Sequence, residues 1–341
     1  MTNCGPKPIP TILDTDIGND IDDTWALGML LNSPEFDLKL VLTSTGDARY
    51  RAKVAAGFLE ACGRDDIPVG IGVSRADDSP ETMHEYADSY RLEQYSGGIW
   101  EDGVGRALEL IAAEPELTVI GIAPLTTLAE LCRRDERAVS RCRLIVMGGS
   151  IAKRHRGAAG MIAEYNIKLD VPAAQRTFRA PWREILLTPL DHCGDIALSG
   201  VNYRKIAEST APVPRNILAQ YAVWRNYWKH DGPAHASSIL YDTAAVHLAY
   251  SGEFTRLERL KLVVDDGGFT RISPEGREML VAMEMTDPAA FQQRLVERLI
   301  TTQPTEMTDP AAFQQRLVER LITTQPTERI ENEKFAPFYP Y

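Results

Sequence analysis

Residues 10–31 read PTILDTDIGNDIDDTWALGMLL, and this stretch decides the architecture. Pro10 to Asp16 opens on β-branched and apolar residues and ends in acids, which predicts a strand. Asp23 to Leu31 carries apolar residues at helical spacing, which predicts a helix. Gly18 in the turn between them permits backbone angles that other residues avoid. Strand, tight turn and helix in this order open an α/β unit, and ligands of such sheets bind at the carboxyl ends of the strands. Asp14, Asp16, Asp20, Asp22 and Asp23 crowd that end. Their mutual repulsion costs stability unless a cation neutralises it. An oxygen-only donor set suits calcium or magnesium rather than zinc. Asp22 and Asp23 also fall where a helix N-terminus favours negative charge, but a cap uses only one or two acids.

The alternation continues outward. Leu38 to Ser44, Pro68 to Val73, Leu117 to Ile122, Cys142 to Met147 and Glu184 to Leu190 read as strands. Ala52 to Cys62, Gly105 to Ala113, Leu125 to Cys132 and Ala173 to Phe178 read as helices between them. Alternating elements predict an α/β fold: an open, mainly parallel, Rossmann-like sheet with helices on both faces. Past Leu190 the pattern changes. Val213 to His230 predicts a helix rich in aromatic residues, and a second helix starts near Asp242. Leu257 to Val264 and Met279 to Met285 read as strands. No Gly/Ser/Pro-rich linker intervenes, so residues 1–341 read as a single domain with an added helical region near the site. Glu284 to Thr305 is repeated letter for letter as Glu306 to Thr327. Solenoid repeats diverge and need more copies, so the second copy reads as a surplus insertion.

Of the 341 residues, 44% are hydrophobic and 25% charged, which excludes a mainly disordered chain. The net charge of -11 argues against a nucleic-acid partner, which needs a basic patch. Five widely spaced cysteines make no disulfide framework and fit a reducing cytosol. The N-terminal segment lacks an apolar signal core, and no window reaches the ~18 apolar residues of a membrane span. These features predict a cytoplasmic small-molecule enzyme. Gly148-Gly149 fits no phosphate-loop spacing.

The acidic run resembles the signature of the nucleoside hydrolase family, DxDxGxDD, with Asn19 and Asp20 as two extra residues. Pro124 to Ala129 (PLTTLA), Val146 to Gly149 (VMGG), Ala163 to Asn166 (AEYN, with Asp170 following) and Tyr241 to Val246 (YDTAAV) are similar to later motifs of that family, in the same order. The resemblance implies the nucleoside hydrolase fold and hydrolysis of the N-glycosidic bond of ribonucleosides by a calcium-bound water. It implies that Asp16 contacts calcium and acts as general base, and that Asp23, Asp242 and the main-chain oxygen of Ile122 complete the ligands. Asp22, Met147, Glu164 and Asn166 would line the ribose, and Asp47 takes the place of a family asparagine. It further implies a homodimer or homotetramer. The chemistry agrees: anionic surroundings stabilise an oxocarbenium-like sugar, and calcium acidifies the water that a carboxylate deprotonates.

The base side departs from the family. Tyr241 stands where many members carry a histidine that protonates the leaving base, Ala158 where an asparagine is usual, and Ile99 near the place of a second histidine. Tyr241, His230 and His235 are the candidate leaving-group acids, the alternative being that the base leaves by stacking and solvent protonation. Trp224 and Trp228 read either as core or as a stacking wall for the nucleobase. Trp100 is similar, and His192 reads as structural. Two other functions compete: a calcium-dependent ribose-binding protein that lost catalysis, and a magnesium phosphatase that also opens on DxD.

Overall fold

In the computed structural model, which describes residues 7–301 apart from 78, 115 and 230–234, ten strands form one sheet. They are β1 (Ile9–Thr15), β2 (Phe36–Thr43), β3 (Val69–Ile71), β4 (Ile99–Trp100), β5 (Thr118–Gly121), β6 (Arg143–Met147), β7 (Glu184–Thr188), β8 (Thr255–Val264), β9 (Thr270–Ile272) and β10 (Arg277–Met285). Their order is β4-β3-β2-β1-β5-β6-β7-β10-β8-β9. Neighbours from β4 through β7 to β10 pair in parallel, whereas β8 pairs antiparallel with both β10 and β9. The mainly parallel α/β sheet predicted above is therefore the observed one.

β4, β9 and the helix Gly200–Glu208 are among the elements that the sequence reading did not give. β4 has only two residues and β9 three, too few for an alternation to register. The polar helix Gly200–Glu208 buries only Tyr203 and Ile206, so its apolar spacing is faint. Residues 306–327, His230 and Cys4 lie outside the described residues. The first copy of the repeat supplies the end of β10 and the helix Pro288–Ile300, whose Phe291, Leu295, Val296 and Leu299 are buried.

Each face of the sheet has its own core. Leu13 of β1 joins Trp25, Phe58, Ile217, Val246 and Leu295 on one side, and Ile12 joins Val104, Ile111, Leu128 and Phe178 on the other. This is the two-residue strand period at work. From Thr11 to Thr15 β1 is wholly buried, flanked by β2 and β5. The helix Asp22–Leu31 is buried along its full length, as its near-continuous apolar sequence requires. Because the central strands run parallel, their carboxyl ends gather Asp16, Ser44, Ile122, Gly148 and Pro189 along one edge. Among the described residues no helix is long and apolar enough to cross a membrane.

Candidate active site

At that edge the chain leaves β1 and turns through Thr15 to Ile21. Gly18 has φ +96°, and a Cβ there would meet the Tyr50 ring at 2.9 Å. Its carbonyl accepts from Tyr50 Oη at 3.0 Å and from the Thr82 amide at 2.9 Å. The loop is thus pinned from two sides, and glycine is the residue that fits. The helix Asp22–Leu31 then presents Asp22 and Asp23 in its first turn, and Asp242 arrives immediately before the helix Thr243–Tyr250.

An oxygen from each of Asp22, Asp23 and Asp242 lies within 4.8 Å of the others, and all three residues are buried. The Asp22 and Asp242 carboxyls lie close enough for each to act on the other. Thr15 Oγ1 donates to Asp23 Oδ1. Burial, reinforced by neighbouring carboxylates, pushes Asp14, Asp22, Asp23 and Asp242 well above the ordinary carboxyl range. Neither oxygen of the buried Asp14 has a hydrogen-bond partner among the described residues. Converging, desolvated, all-oxygen donors with uncompensated charge fit a hard divalent cation.

Asp16 is buried beside this group. Burial raises its carboxyl, and the Arg51 charge and the Asn19 amide pull it back. Asn19 Nδ2 donates to Asp16 Oδ2 at 3.1 Å and also meets Tyr165 Oη at 3.1 Å, which pairs with Ser79 Oγ at 2.7 Å. Arg51, fully buried on the helix Ala48–Ala61, donates through Nη1 to the main-chain oxygens of Asp16 and Ile17, and through Nε to that of Thr45. Its Nη2 has no hydrogen-bond partner among the described residues.

The ribose-lining candidates form a neighbouring network. Asn166 Nδ2 donates to the main-chain oxygens of Ile122 and Met147, each at 3.2 Å, and lies 3.4 Å from Met147 Sδ. Glu164 caps the helix Tyr165–Lys168: Oε1 accepts from the Asn166 amide at 2.9 Å and Oε2 from the Gly149 amide at 2.8 Å. Burial raises Glu164 to about 7 against these hydrogen bonds. Tyr241 is half-buried, and the charges of Asp20, Asp22 and Glu164 reach it. Asp20, half-buried and raised to about 6 by desolvation, belongs to the same neighbourhood.

Other candidates lie elsewhere or have other partners. Asp47 is exposed and caps the helix Ala48–Ala61 through the amides of Arg49 and Tyr50. Trp224 is buried and stacks on Tyr221, while Trp228 is exposed at the end of the helix Pro212–Tyr227 and meets Tyr227 edge-on. Trp100 is exposed on the edge strand β4 beneath the Arg106 guanidinium, next to the half-buried Ile99. Ala158 is exposed, and His235 is also exposed. His192 is buried, with Nε2 3.0 Å from Thr255 Oγ1.

Sequence reading missed Asn19, Arg51, Tyr165 and His155 as partners of the site. Arg51 carried a signal: it shares a helical face with the buried Ala55 and Phe58, where a charge is out of place. His155 carried none, because its partner Tyr241 is 86 residues away.

The family model described as inosine-uridine preferring nucleoside hydrolase matches residues 11–293. A non-specific ribonucleoside hydrolase, RihC, of Klebsiella pneumoniae subsp. pneumoniae is 31% identical over 291 residues, covering 79% of this chain and 90% of that protein. A pyrimidine-specific ribonucleoside hydrolase, RihA, of Salmonella paratyphi B is 25% identical, covering 77% and 86%. Among solved structures, a plant nucleoside hydrolase, the PpNRh1 enzyme, has a similar fold with a TM-score of 0.73 at 21% identity, covering 87% of this chain and all of that one.

Proposed function

The chain belongs to the inosine-uridine preferring nucleoside hydrolase family, and from that membership we propose that it cleaves ribonucleosides to free base and ribose with calcium as cofactor. The observation that carries the cofactor is the convergence of Asp22, Asp23 and Asp242 in a buried, all-oxygen cluster. Asp16, Asp23, Asp242 and the main-chain oxygen of Ile122 would hold the ion. When bound, calcium supplies charge that anchors the vicinal ribose hydroxyls and lowers the pKa of a neighbouring water.

The remaining steps fall to side chains of this chain. Asp16, oriented by Asn19, takes the proton of the attacking water as its oxygen bonds to C1′. The C1′–N bond breaks toward the base, and the surrounding carboxylates stabilise the oxocarbenium-like sugar. Asp22, Glu164 and Asn166 grip the ribose hydroxyls beside Met147. Tyr241 faces the base side and donates to the leaving nitrogen. The relatives include one named non-specific and one named pyrimidine-specific, so both base classes belong in the test.

The test is a panel of purine and pyrimidine ribonucleosides and their 2′-deoxy analogues, scored for free base and reducing sugar with calcium and with chelator. The expected result is calcium-dependent release from ribonucleosides, weaker on deoxy analogues by about 10⁴ in rate, because a missing hydroxyl leaves buried acceptors unsatisfied. Release that survives exhaustive chelation overturns the cofactor assignment. Calcium-dependent binding without release overturns the catalytic reading.

A further inference from the structure

Residues 152–160 form a small hairpin beyond the end of β6. Arg154 N donates to the Ala158 carbonyl at 2.9 Å, Gly160 N to that of Ala152 at 2.9 Å, and Lys153 bridges Ala159. Every residue from 152 to 160 is exposed except His155, which is turned inward and half-buried. Its ring meets Tyr241: Nδ1 lies 2.9 Å from Tyr241 Oη, with the ring centroids 5.5 Å apart and the planes at 78°.

The contact is held from behind. The buried Asp191 carboxylate accepts from the amides of Ile151, Ala152 and Lys153 at 2.8, 2.7 and 3.0 Å, which fixes the hairpin's entry. Arg156 N donates to the Gly194 carbonyl at 2.8 Å, and Arg156 adopts φ +60°, an uncommon conformation for a side-chain-bearing residue. Such strain persists only where the surroundings over-determine it. Three amides and a strained turn thus aim one imidazole at one phenol.

We propose that His155 is a positioning residue for the leaving-group side of the site, fixing the direction of the Tyr241 hydroxyl. The assignment rests on the nucleosidase reading above. Burial and the nearby Arg156 charge lower the His155 pKa, so the ring is largely neutral at pH 7 and offers one donor and one acceptor nitrogen. The tautomer protonated on Nδ1 fits this role: Nδ1–H donates to the Tyr241 oxygen, which leaves the phenolic proton for the leaving nitrogen and gives the hydroxyl one fixed hydrogen-bond axis. His155 itself does not touch the reacting atoms in this role.

The experiment compares wild type, His155→Ala, His155→Asn, Tyr241→Phe and the His155→Ala/Tyr241→Phe double variant. Each is assayed on its best natural ribonucleoside and on 4-nitrophenyl riboside, whose leaving group needs no proton. His155→Ala should lower kcat on the natural substrate about 10- to 100-fold, the scale of a misplaced catalytic group, and leave nitrophenyl riboside within about twofold. His155→Asn, whose amide reaches the Nδ1 position, should recover part of the loss. In the Tyr241→Phe background the same His155 change should cost nothing further. Equal loss on both substrates, or additive losses in the double variant, overturns the proposal. The ¹⁵N resonances of the His155 ring give a readout without turnover. They should shift in Tyr241→Phe, and unchanged resonances overturn the contact itself. A wild type inert to every nucleoside defeats the functional reading instead, while the ring resonances still decide whether His155 holds Tyr241.

Discussion

The side-chain amide of Asn19 donates to Asp16 Oδ2 at 3.1 Å. Asn19 lies three residues past Asp16 in the acidic loop, and from there its amide reaches back to the carboxylate. It also ties that carboxylate to Tyr165 and Ser79. A general base must be aimed as well as ionised. Asn19→Ala should therefore lower kcat about tenfold while KM and calcium affinity change little, since positioning errors act on the chemical step. Steady-state kinetics at saturating calcium check it, and a loss confined to KM counts against the clamp.

The three converging acids predict the metal dependence. Asp23→Ala and Asp242→Ala should each abolish calcium binding, measured by titration calorimetry, together with nucleoside turnover. Both variants should stay folded in chelator, because each removes a buried charge rather than an apolar side chain. Retained calcium binding in either one argues against its place among the ligands.

Arg51 predicts a stability effect. Its guanidinium is buried under the loop and satisfies the carbonyls of Asp16, Ile17 and Thr45. Arg51→Met leaves those acceptors without donors and the neighbouring acids without a counter-charge. The cost should be about 3 kcal/mol in urea unfolding. Arg51→Lys should recover only part, since one ammonium cannot reproduce the fork. An effect under ~1 kcal/mol would show that water replaces the guanidinium.

The acids also set the pH dependence of the metal-free protein. Glu164 is raised to about 7, and Asp14, Asp22, Asp23 and Asp242 well above their ordinary values, all chiefly by burial. A carboxyl raised in the folded state stabilises the fold below its unfolded pKa, and that stability is lost as pH rises through the folded pKa. His192, lowered to about 4 by burial and then by His247, acts oppositely, but its contribution is complete above its unfolded value of about 6.5. Above about pH 6.5 the Tm of chelated protein should fall as pH rises, and excess calcium should remove most of that fall by neutralising the same carboxylates. A flat or rising Tm in chelator would contradict this account.

The parallel α/β sheet and the edge that carries the acids are legible in the sequence. Both are local matters. The strand period of Ile12 and Leu13, the apolar run of Trp25 to Leu31 and the charge density from Asp14 to Asp23 are legible within a few residues of themselves. Which distant groups meet there follows from long-range packing instead. Asp242 joins Asp22 and Asp23 because the helix Thr243–Tyr250 packs on the same face of the sheet as the helix Asp22–Leu31. Tyr165 meets Asn19 across 146 residues, and His155 meets Tyr241 across 86. Likewise β10 enters between β7 and β8, an order that no alternation of residues encodes. Periodicity reports which side of an element is buried, whereas the identity of its neighbour depends on how long-range burial and hydrogen bonding are satisfied together.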